Sequence, residues 1–245
     1  MAMTGGSKVT VLPAGLELSR GSIDNLSLFG RTAVNTAVGA TTETVWNAGG
    51  IRHNITYNTA TQVTVVSDSA NDTNSGGSGA KRVKIRGING DGDRVEENLN
   101  LNGTAAVTSV NSYLSVDKVS VNKGTENDGT IDIKDGSNIV QQISPGDGES
   151  MAPNWYCPRN SRSYLTSFLV GASEPALVSI WARRASTNNP WQKKLEVVVK
   201  NSVTTYQLPN PIQLDELFEF EFRAKRLGST DSAVSIDFQV ILEDT

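Results

Sequence analysis

The segment FEFEFRAK, from Phe218 to Lys225, constrains the fold more than any other part of the chain. Apolar residues alternate here with Glu219, Glu221 and Arg223. A period of two is the side-chain period of a β-strand, and it places the two sets on opposite faces of a sheet. The segment therefore predicts a strand with one buried and one solvent-facing side.

The same alternation recurs along the whole chain, as in AVSIDFQVILED near the C-terminus and KRVKIRGI in the first half. No segment keeps a 3.6-residue period. Turn clusters rich in Gly, Asn and Asp recur at intervals of about 8–12 residues, which is typical of sandwiches and barrels. The sequence predicts an all-β protein with two β-sandwich, jelly-roll-like domains and an extended N-terminal arm.

The segment ISPGDGESMAPN, residues 143–154, is the predicted boundary between the domains, because it combines two Pro and two Gly with acidic residues. The half before it is rich in Thr, Asn, Gly and Asp, and the half after it carries most of the Phe and Trp. The predicted division is an arm over 1–34, a first β-domain over 35–148 and a second over 149–245.

Small apolar groups in residues 1–34 are interrupted by Gly and Pro, so they cannot bury much surface on their own. We expect this arm to be ordered by a neighbouring subunit. An alternative is that the segment is a first strand packed within its own chain. The predicted arm contacts are Val9, Val11, Leu16, Leu18, Leu26, Leu28 and Phe29.

The chain has one Cys and one His, so the common zinc sites and the Ser-His-Asp or Cys-His triads are poorly supplied. His53 is predicted to be a surface or hydrogen-bonded strand residue. The net charge of −4 gives no global attraction to nucleic acid. No apolar run reaches the roughly 18 residues of a membrane span, and no secretory signal is visible. We expect no catalytic residues, no cofactor, no nucleic-acid partner and no membrane partner.

The turn NGDGD, residues 89–93, begins as a calcium loop does, with oxygen-bearing side chains at Asn89, Asp91 and Asp93. Counted from Asn89, however, the sixth residue is Arg94 and the twelfth is Asn100, where an EF-hand needs Gly and Glu. The flanking segments alternate as strands do. The turn is predicted to close a β-hairpin, with no metal bound.

Aromatic and basic residues gather in a second predicted hairpin, around the loop ASTNNP. Such a combination can bind sugars, nucleic acid or an acidic protein surface. The alternative is that one Trp belongs to the core and the cations form the solvated face. The candidate contacts for a partner or glycan are Trp181, Arg183, Arg184, Trp191, Lys193 and Lys194.

Five segments of the first half resemble a family of structural proteins from the virions of tailed bacteriophages. That family shows a SANDT-type turn, a Gly-led stretch, a strand ending in LNGT, a Val-Thr step and a strand of the form N-x-G-T-I-x-I. The matching segments here are Ser67–Thr73, Gly77–Arg82, Glu96–Thr104, Val107–Ser109 and Asn127–Ile133. In the second half, WYCPRNSRSYLTSF resembles a recurring phage motif, although family members often have VPAGK where this chain has CPRNS.

The resemblance implies a β-rich virion component without catalytic residues, made in the host cytoplasm. It implies an accessory protein of the capsid (a decoration or knob) or of the tail or collar. Its expected partners are further copies of itself, as a homotrimer, and other virion proteins such as capsid, portal, tail or fibre. The alternative is a receptor-binding module of the tail that recognises a host-surface glycan, with the Trp181–Trp191 hairpin as its site.

Overall fold

The computed structural model describes residues 14–21, 23–55, 59–185 and 189–245. Strands account for 62% of the chain and helix for 2%, which confirms the all-β, sandwich-type fold class. In chain order, the elements are α1 (Ala14–Ser19), β1 (Leu26–Val38), β2 (Glu43–Thr44), β3 (Thr61–Ser67), β4 (Ala80–Asn89), β5 (Arg94–Asn100), β6 (Val107–Gly124), β7 (Ile131–Asp135), β8 (Asn138–Ile143), β9 (Asn154–Tyr156), β10 (Ser161–Ala172), β11 (Ala176–Arg184), β12 (Gln192–Val199), β13 (Ser202–Leu214), β14 (Phe218–Arg226) and β15 (Ser232–Asp244).

These strands form three antiparallel sheets. A four-stranded sheet has the order β1-β15-β10-β13, and a five-stranded sheet contains β12-β11-β14-β2 with β9 also paired to β14. A six-stranded sheet has the order β5-β4-β6-β3-β7-β8. We call the first two sheets the sandwich unit and the third the six-stranded unit.

The core of the sandwich unit lies between its two sheets. Phe220 and Phe222, from the segment FEFEFRAK, are fully buried, as the alternation predicts. Their rings meet Phe168 and Phe238 of the opposite sheet at centroid distances of 5.3–5.4 Å. Aromatic burial of this kind contributes more than apolar area alone, because edge-to-face rings attract.

The six-stranded unit has a separate apolar core, which includes Val83, Ile85, Val119, Ile131 and Ile133. The predicted hairpin around NGDGD is present, since β4 and β5 pair antiparallel up to Ile88 and Arg94. The chain leaves the sheet after Ile143 and enters β9 of the sandwich unit at Asn154.

The N-terminal segment does not form a separate arm as far as the structure describes it. β1 pairs within the chain with β15, from Leu26 opposite Glu243 to Val38 opposite Ser232. Ala33 is fully buried in the sandwich core, and Phe29 packs against that core. The predicted arm is therefore wrong for residues 26–34, where the alternative of a strand packed within its own chain holds.

The first domain also does not begin at residue 35, because β2 pairs with β14 of the sandwich unit. Among the predicted arm contacts, Leu18 is buried and Leu26 and Leu28 are half-buried in their own chain. Leu16 lies in α1, whereas Val9 and Val11 fall outside the described residues. The physical reason for the error is that β15 would otherwise present an open edge beside the core.

Three of the phage-like segments, Ser67–Thr73, Gly77–Arg82 and Asn127–Ile133, meet at one buried carboxylate, Asp72. Its Oδ1 accepts hydrogen bonds from the backbone N–H of Ala80 and of Asp128, both at 2.9 Å. Its Oδ2 accepts from the Ser67 hydroxyl at 2.6 Å and from the Gly129 N–H at 3.0 Å. The side chain is completely inaccessible to solvent. Asp72 thus holds the loop after β3 and the loop before β7 together.

Candidate functional site on the five-stranded sheet

The predicted aromatic and basic hairpin forms from β11 and β12. Trp181 lies opposite Lys193 across this strand pair, beside a register shift. Because residues 180 and 182 face the core, Trp181 and Arg183 project from the outer face of the five-stranded sheet. Trp191 lies just before β12 on the other arm of the hairpin.

Cations and indole rings alternate on this face. The Arg183 guanidinium lies 4.6 Å from the centre of the Trp191 ring, and the Lys193 ammonium lies 5.4 Å from that of Trp181. Arg223, from β14, lies between the two rings, 5.1 Å from Trp181 and 5.0 Å from Trp191. These are cation–π distances. We call these five residues the cation–indole stack.

Four of the six predicted contact residues therefore meet, and two do not join the stack. Arg184 is exposed and has no ion-pair partner among the described residues. The Lys194 ammonium donates to the side-chain oxygen of Gln192 at 2.9 Å. Sequence reasoning missed the role of Arg223, although the alternation of FEFEFRAK had already placed it on the outer face.

Two carboxylates lie beside the stack on β14. Arg183 Nε is 2.6 Å from Glu219 Oε1, and Arg223 Nε is 2.6 Å from Glu221 Oε1. Glu219 is only 5% exposed and Glu221 is inaccessible. Burial raises the pKa of Glu219, and the neighbouring Arg183 opposes the rise. The prediction that this side of β14 faces solvent is wrong for both glutamates, because Glu219 lies beside residues 114–116 of β6 and Glu221 lies beside Thr44 and Arg52.

Arg52 joins the two units at this point. Its side chain is 3% exposed, and its Nε lies 4.0 Å from Glu221 Oε2. On the other side, its Nη1 donates to the carbonyl of Val140, in β8, at 3.1 Å. Desolvation lowers the pKa of Arg52, and the Glu221 carboxylate opposes this effect. One buried guanidinium thus contacts the six-stranded unit and the sandwich unit together.

A second buried cluster lies between the units. The Arg94 guanidinium packs over the rings of Phe29 and Trp155, at 4.3 and 4.5 Å from their centres. Asp117 is 3% exposed and accepts a hydrogen bond from the Ser115 hydroxyl at 3.1 Å. Burial raises the pKa of Asp117, whereas Arg94 and then Arg31 lower it.

The calcium-like turn is a third contact between the units. Asn89 Oδ1 accepts the backbone N–H groups of Asp91 and Asp93, at 3.0 and 2.9 Å, so this side chain is used within the turn. The carbonyl of Gly92 accepts the N–H of Arg159 from the sandwich unit at 2.8 Å. Gly92 has φ +87°, and a Cβ at this position would lie 3.0 Å from Arg159. The glycine therefore permits both the turn and the close approach.

The remaining polar residues that the sequence singled out have structural partners. His53 Nε2 lies 3.2 Å from Asp135 Oδ2, which fits a hydrogen-bonded histidine, although it lies outside the strands. Cys157 is fully buried, and burial raises its pKa to about 11, so its thiol is unreactive. Within the described ranges, no three His, Cys, Asp or Glu side chains are grouped as metal ligands would be, and no helix could span a bilayer.

Part of the outer face of the five-stranded sheet contacts the six-stranded unit. We call this contact, around Arg52, Arg183 and Glu219, the joint. Each indole of the stack already carries two cations of its own chain within 5.4 Å. Between the units, beside Arg52 and Glu219, a cavity of about 10 Å³ remains, which is room for about one water molecule. Among the buried charges described above, Arg52 contacts both units, while Arg183–Glu219 and Arg223–Glu221 pair within the five-stranded sheet beside it.

Comparison with known proteins gives distant structural neighbours only. No family model and no curated protein matches the chain. The crystal structure of the PBSX exported protein XepA is 9% identical over 86% of each chain, with a TM-score of 0.19. The structure of infectious bursal disease virus strain Gx is 9% identical over 90% of this chain and 77% of the viral one, with a TM-score of 0.22. The weak neighbours are thus a phage exported protein and viral capsid structures, and likenesses this distant carry no functional argument.

Proposed function

We propose that this chain is a non-enzymatic structural component of a tailed-phage virion, an accessory protein of the capsid or of the tail. The observation that carries the proposal is the convergence of three phage-like segments on Asp72. The shared residues of the pattern stabilise loops of a scaffold, and a scaffold is what a virion building block has to supply. The residues that carry the resemblance therefore depend on one another through hydrogen bonds, which is a physical reason for them to occur together in a sequence.

The buried charges between the units support the same role. Arg52, Glu219 and Glu221 are almost inaccessible to solvent, and each is paired with another buried or half-buried charge. Breaking one partner of such a buried pair typically costs about 3–5 kcal/mol, so the contacts of Arg52 with Glu221 and with Val140 resist separation of the units, whereas Arg183–Glu219 and Arg223–Glu221 stabilise the five-stranded sheet itself. A particle component benefits from this rigidity, because its neighbours then meet surfaces of fixed geometry.

Self-association is part of the proposal, and its expected surface is the outer edge of β1, which pairs with no further strand in the part of the chain that the structure describes. Edge strands are usually protected from pairing with other chains by Pro or Lys. β13 carries Pro209 and Pro211, and β12 carries Lys193 and Lys194. β1 has thirteen residues and contains neither Pro nor Lys. Docking of the β1 edge on a different surface of the next copy, repeated about a three-fold axis, would build the expected homotrimer, whereas pairing of β1 with β1 would give a dimer.

Mass spectrometry of washed particles from a phage that encodes this chain tests the virion role. We expect the chain in stoichiometric amounts, and electron microscopy of the same particles would locate it on capsid or tail. Its absence from the particles would overturn the proposal. Native mass spectrometry of the purified chain tests self-association. A variant with lysines on β1, Ser27→Lys with Thr36→Lys, should lower the oligomeric mass, whereas Asn210→Lys on β13 should not.

A further inference from the structure

The outer face of the four-stranded sheet carries a trough that the proposed function does not use. Two adjoining depressions of about 400 and 390 Å³ lie on this face. Ligand sites in proteins commonly have volumes of about 300–1,000 Å³. We propose that this trough binds a short, neutral oligosaccharide. The inference goes beyond the virion role and does not depend on it.

The centre of the trough is one row of residues across all four strands. Thr32 lies opposite Asp237, Asp237 opposite Leu169, and Leu169 opposite Thr205. The Thr32 hydroxyl donates to Asp237 Oδ1 at 2.6 Å, which fixes the carboxylate. Asp237 Oδ2 and the Thr205 hydroxyl have no hydrogen-bond partner among the described residues. The row therefore offers a positioned acceptor and a hydroxyl, with an apolar side chain between them.

The second row, on the Gly30 side of the central row, adds the side-chain amides of two glutamines and open space above a glycine. Gly30 lies opposite Gln239, Gln239 opposite Ser167, and Ser167 opposite Gln207. The side chain of Gln207 makes no hydrogen bond within the described ranges. A Cβ at Gly30 would meet no atom within 4 Å, so the trough is open above this residue. Amides that both donate and accept suit hydroxyl groups, which do the same.

The third row, beyond Asp237 on the side away from Gly30, consists of small residues, and only Ser235 among them is polar. It consists of Val34, Ser235, Gly171 and Val203. A Cβ at Gly171 would lie 2.8 Å from the Ser235 hydroxyl, so these two residues already lie against each other and keep the floor low. Val203 is 68% exposed and supplies apolar surface beside the polar row. Sugars present hydroxyls on their edges and C–H groups on their faces, and the trough offers partners for both.

The charge and the area of the three rows favour a short, neutral oligosaccharide over an anionic ligand or a second subunit. Asp237 is the only charged residue in the three rows. Arg31 also lines the depression, but its guanidinium lies over the buried Trp155 ring, 5.8 Å from the ring centre. An anionic sugar, a phosphate or a nucleic acid would therefore meet repulsion without compensation. Three rows over four strands span roughly 14 Å by 14 Å, or about 200 Å². A stable protein interface buries about 800 Å² per partner, so the rows alone are too small for a second subunit.

Titration of the full chain with defined sugars tests the inference. The neutral ligands are cellohexaose, maltohexaose and mannohexaose, and the charged counterpart is an oligogalacturonate of equal length. We expect NMR or calorimetry to detect binding of at least one neutral hexasaccharide and no binding of the oligogalacturonate. Asp237→Ala should weaken binding at least about ten-fold, as loss of a hydrogen bond to a charged group does.

Gly30→Arg is a variant designed to block the trough, and Gly228→Arg is its matched control. The substitution should fill the trough without strain and abolish binding. Gly228→Arg lies outside the trough at a glycine whose Cβ would also meet nothing within 4 Å, so it should bind as the parent chain does. Thermal melts confirm that both variants fold. Binding of none of the neutral sugars would overturn the inference. Loss of binding in Trp181→Ala but not in Gly30→Arg would also overturn it, and would move the site to the hairpin.

A change of oligomeric mass in Gly30→Arg, without sugar binding by the parent chain, would instead identify the trough as a subunit interface and would equally overturn the inference. Because sugar binding is measured on the isolated chain, its failure leaves the detection of the protein in particles untouched. Equally, absence of the chain from particles would not affect a measured sugar affinity.

Discussion

Replacing Asp72 should be the most damaging single change to the six-stranded unit. In Asp72→Ala, the backbone N–H groups of Ala80, Asp128 and Gly129 lose their acceptor at a site without solvent access. In Asp72→Asn, the amide oxygen can still serve Ala80 and Asp128. The amide nitrogen, however, then faces the Gly129 N–H, which is also a donor. The two variants therefore differ in the number of N–H groups left without an acceptor.

The magnitude follows from that count. A buried donor without a partner costs about 1–3 kcal/mol, so three of them in Asp72→Ala cost about 3–9 kcal/mol before any water enters. We expect a loss of about 4 kcal/mol for Asp72→Ala and about 2 kcal/mol for Asp72→Asn, with one unpartnered donor. Domains of this kind have free energies of unfolding of about 5–15 kcal/mol, so the alanine variant should be close to unfolding.

Urea denaturation followed by far-UV circular dichroism provides the assay. Tryptophan fluorescence is unsuitable, because Trp46, Trp155, Trp181 and Trp191 all lie outside the six-stranded unit. Asp68→Asn is the matched control. Asp68 Oδ1 accepts only the exposed N–H of Thr130, at 2.8 Å, so its loss should cost no more than about 1 kcal/mol. The reasoning is refuted if Asp72→Ala loses less than the control, or less than Asp72→Asn.

Two further predictions concern the joint between the units. Arg52→Met should cost about 3 kcal/mol in urea denaturation and increase proteolysis within residues 143–154, because the buried Glu221 loses one of its two arginine partners and the contact of residue 52 with Val140 is lost; a loss no larger than that of Arg184→Met, at an exposed arginine without an ion-pair partner in the described chain, would contradict this. For Asp117, burial raises the folded-state pKa above the ordinary 3.8. The stability contributed by its neutral form is thus fully present below about pH 4 and is lost as the pH rises through the folded-state pKa. The stability advantage of the parent chain over Asp117→Asn should therefore fall from pH 4 to pH 7, and an advantage that grows with pH would show that the anion is the stabilised form.

Much of the strand content could be predicted from local pattern alone. FEFEFRAK and AVSIDFQVILED became β14 and β15, and the NGDGD turn became a hairpin, because side-chain period and turn chemistry are properties of neighbouring residues. The position of β1 could not be predicted in this way. Leu26 pairs with Glu243, near the other end of the chain, and no local pattern encodes a pairing over that distance.

The candidate site shows the same limit. The hairpin sequence brought Trp181, Arg183, Trp191 and Lys193 together as neighbours. The alternation in FEFEFRAK also places Glu219 and Glu221 on the opposite face of β14 from the phenylalanines. It predicts that one face is polar and the other apolar, and nothing about what the polar face contacts. Whether the polar face meets water or another unit depends on how the units dock. Here Arg52 and the six-stranded unit cover it, and residues that suggest a solvated face become part of the interior.

The two outer faces of the sandwich unit differ in how far their polar groups are already paired within the chain. On the five-stranded sheet, Arg183, Arg223, Glu219 and Glu221 pair with one another beside the six-stranded unit, so few of their charges remain for an external partner. On the four-stranded sheet, the three rows of the trough contain one charge, Asp237, and include the exposed side chain of Val203. Surfaces that recognise an external molecule must stay open and keep unpaired hydrogen-bonding groups. Among the described residues, the four-stranded sheet meets both conditions, and it also carries β1, the long edge without Pro or Lys. Recognition and assembly should therefore be separated from the joint, so that charge reversal on β12 would leave both unchanged while substitutions on β1 would alter them.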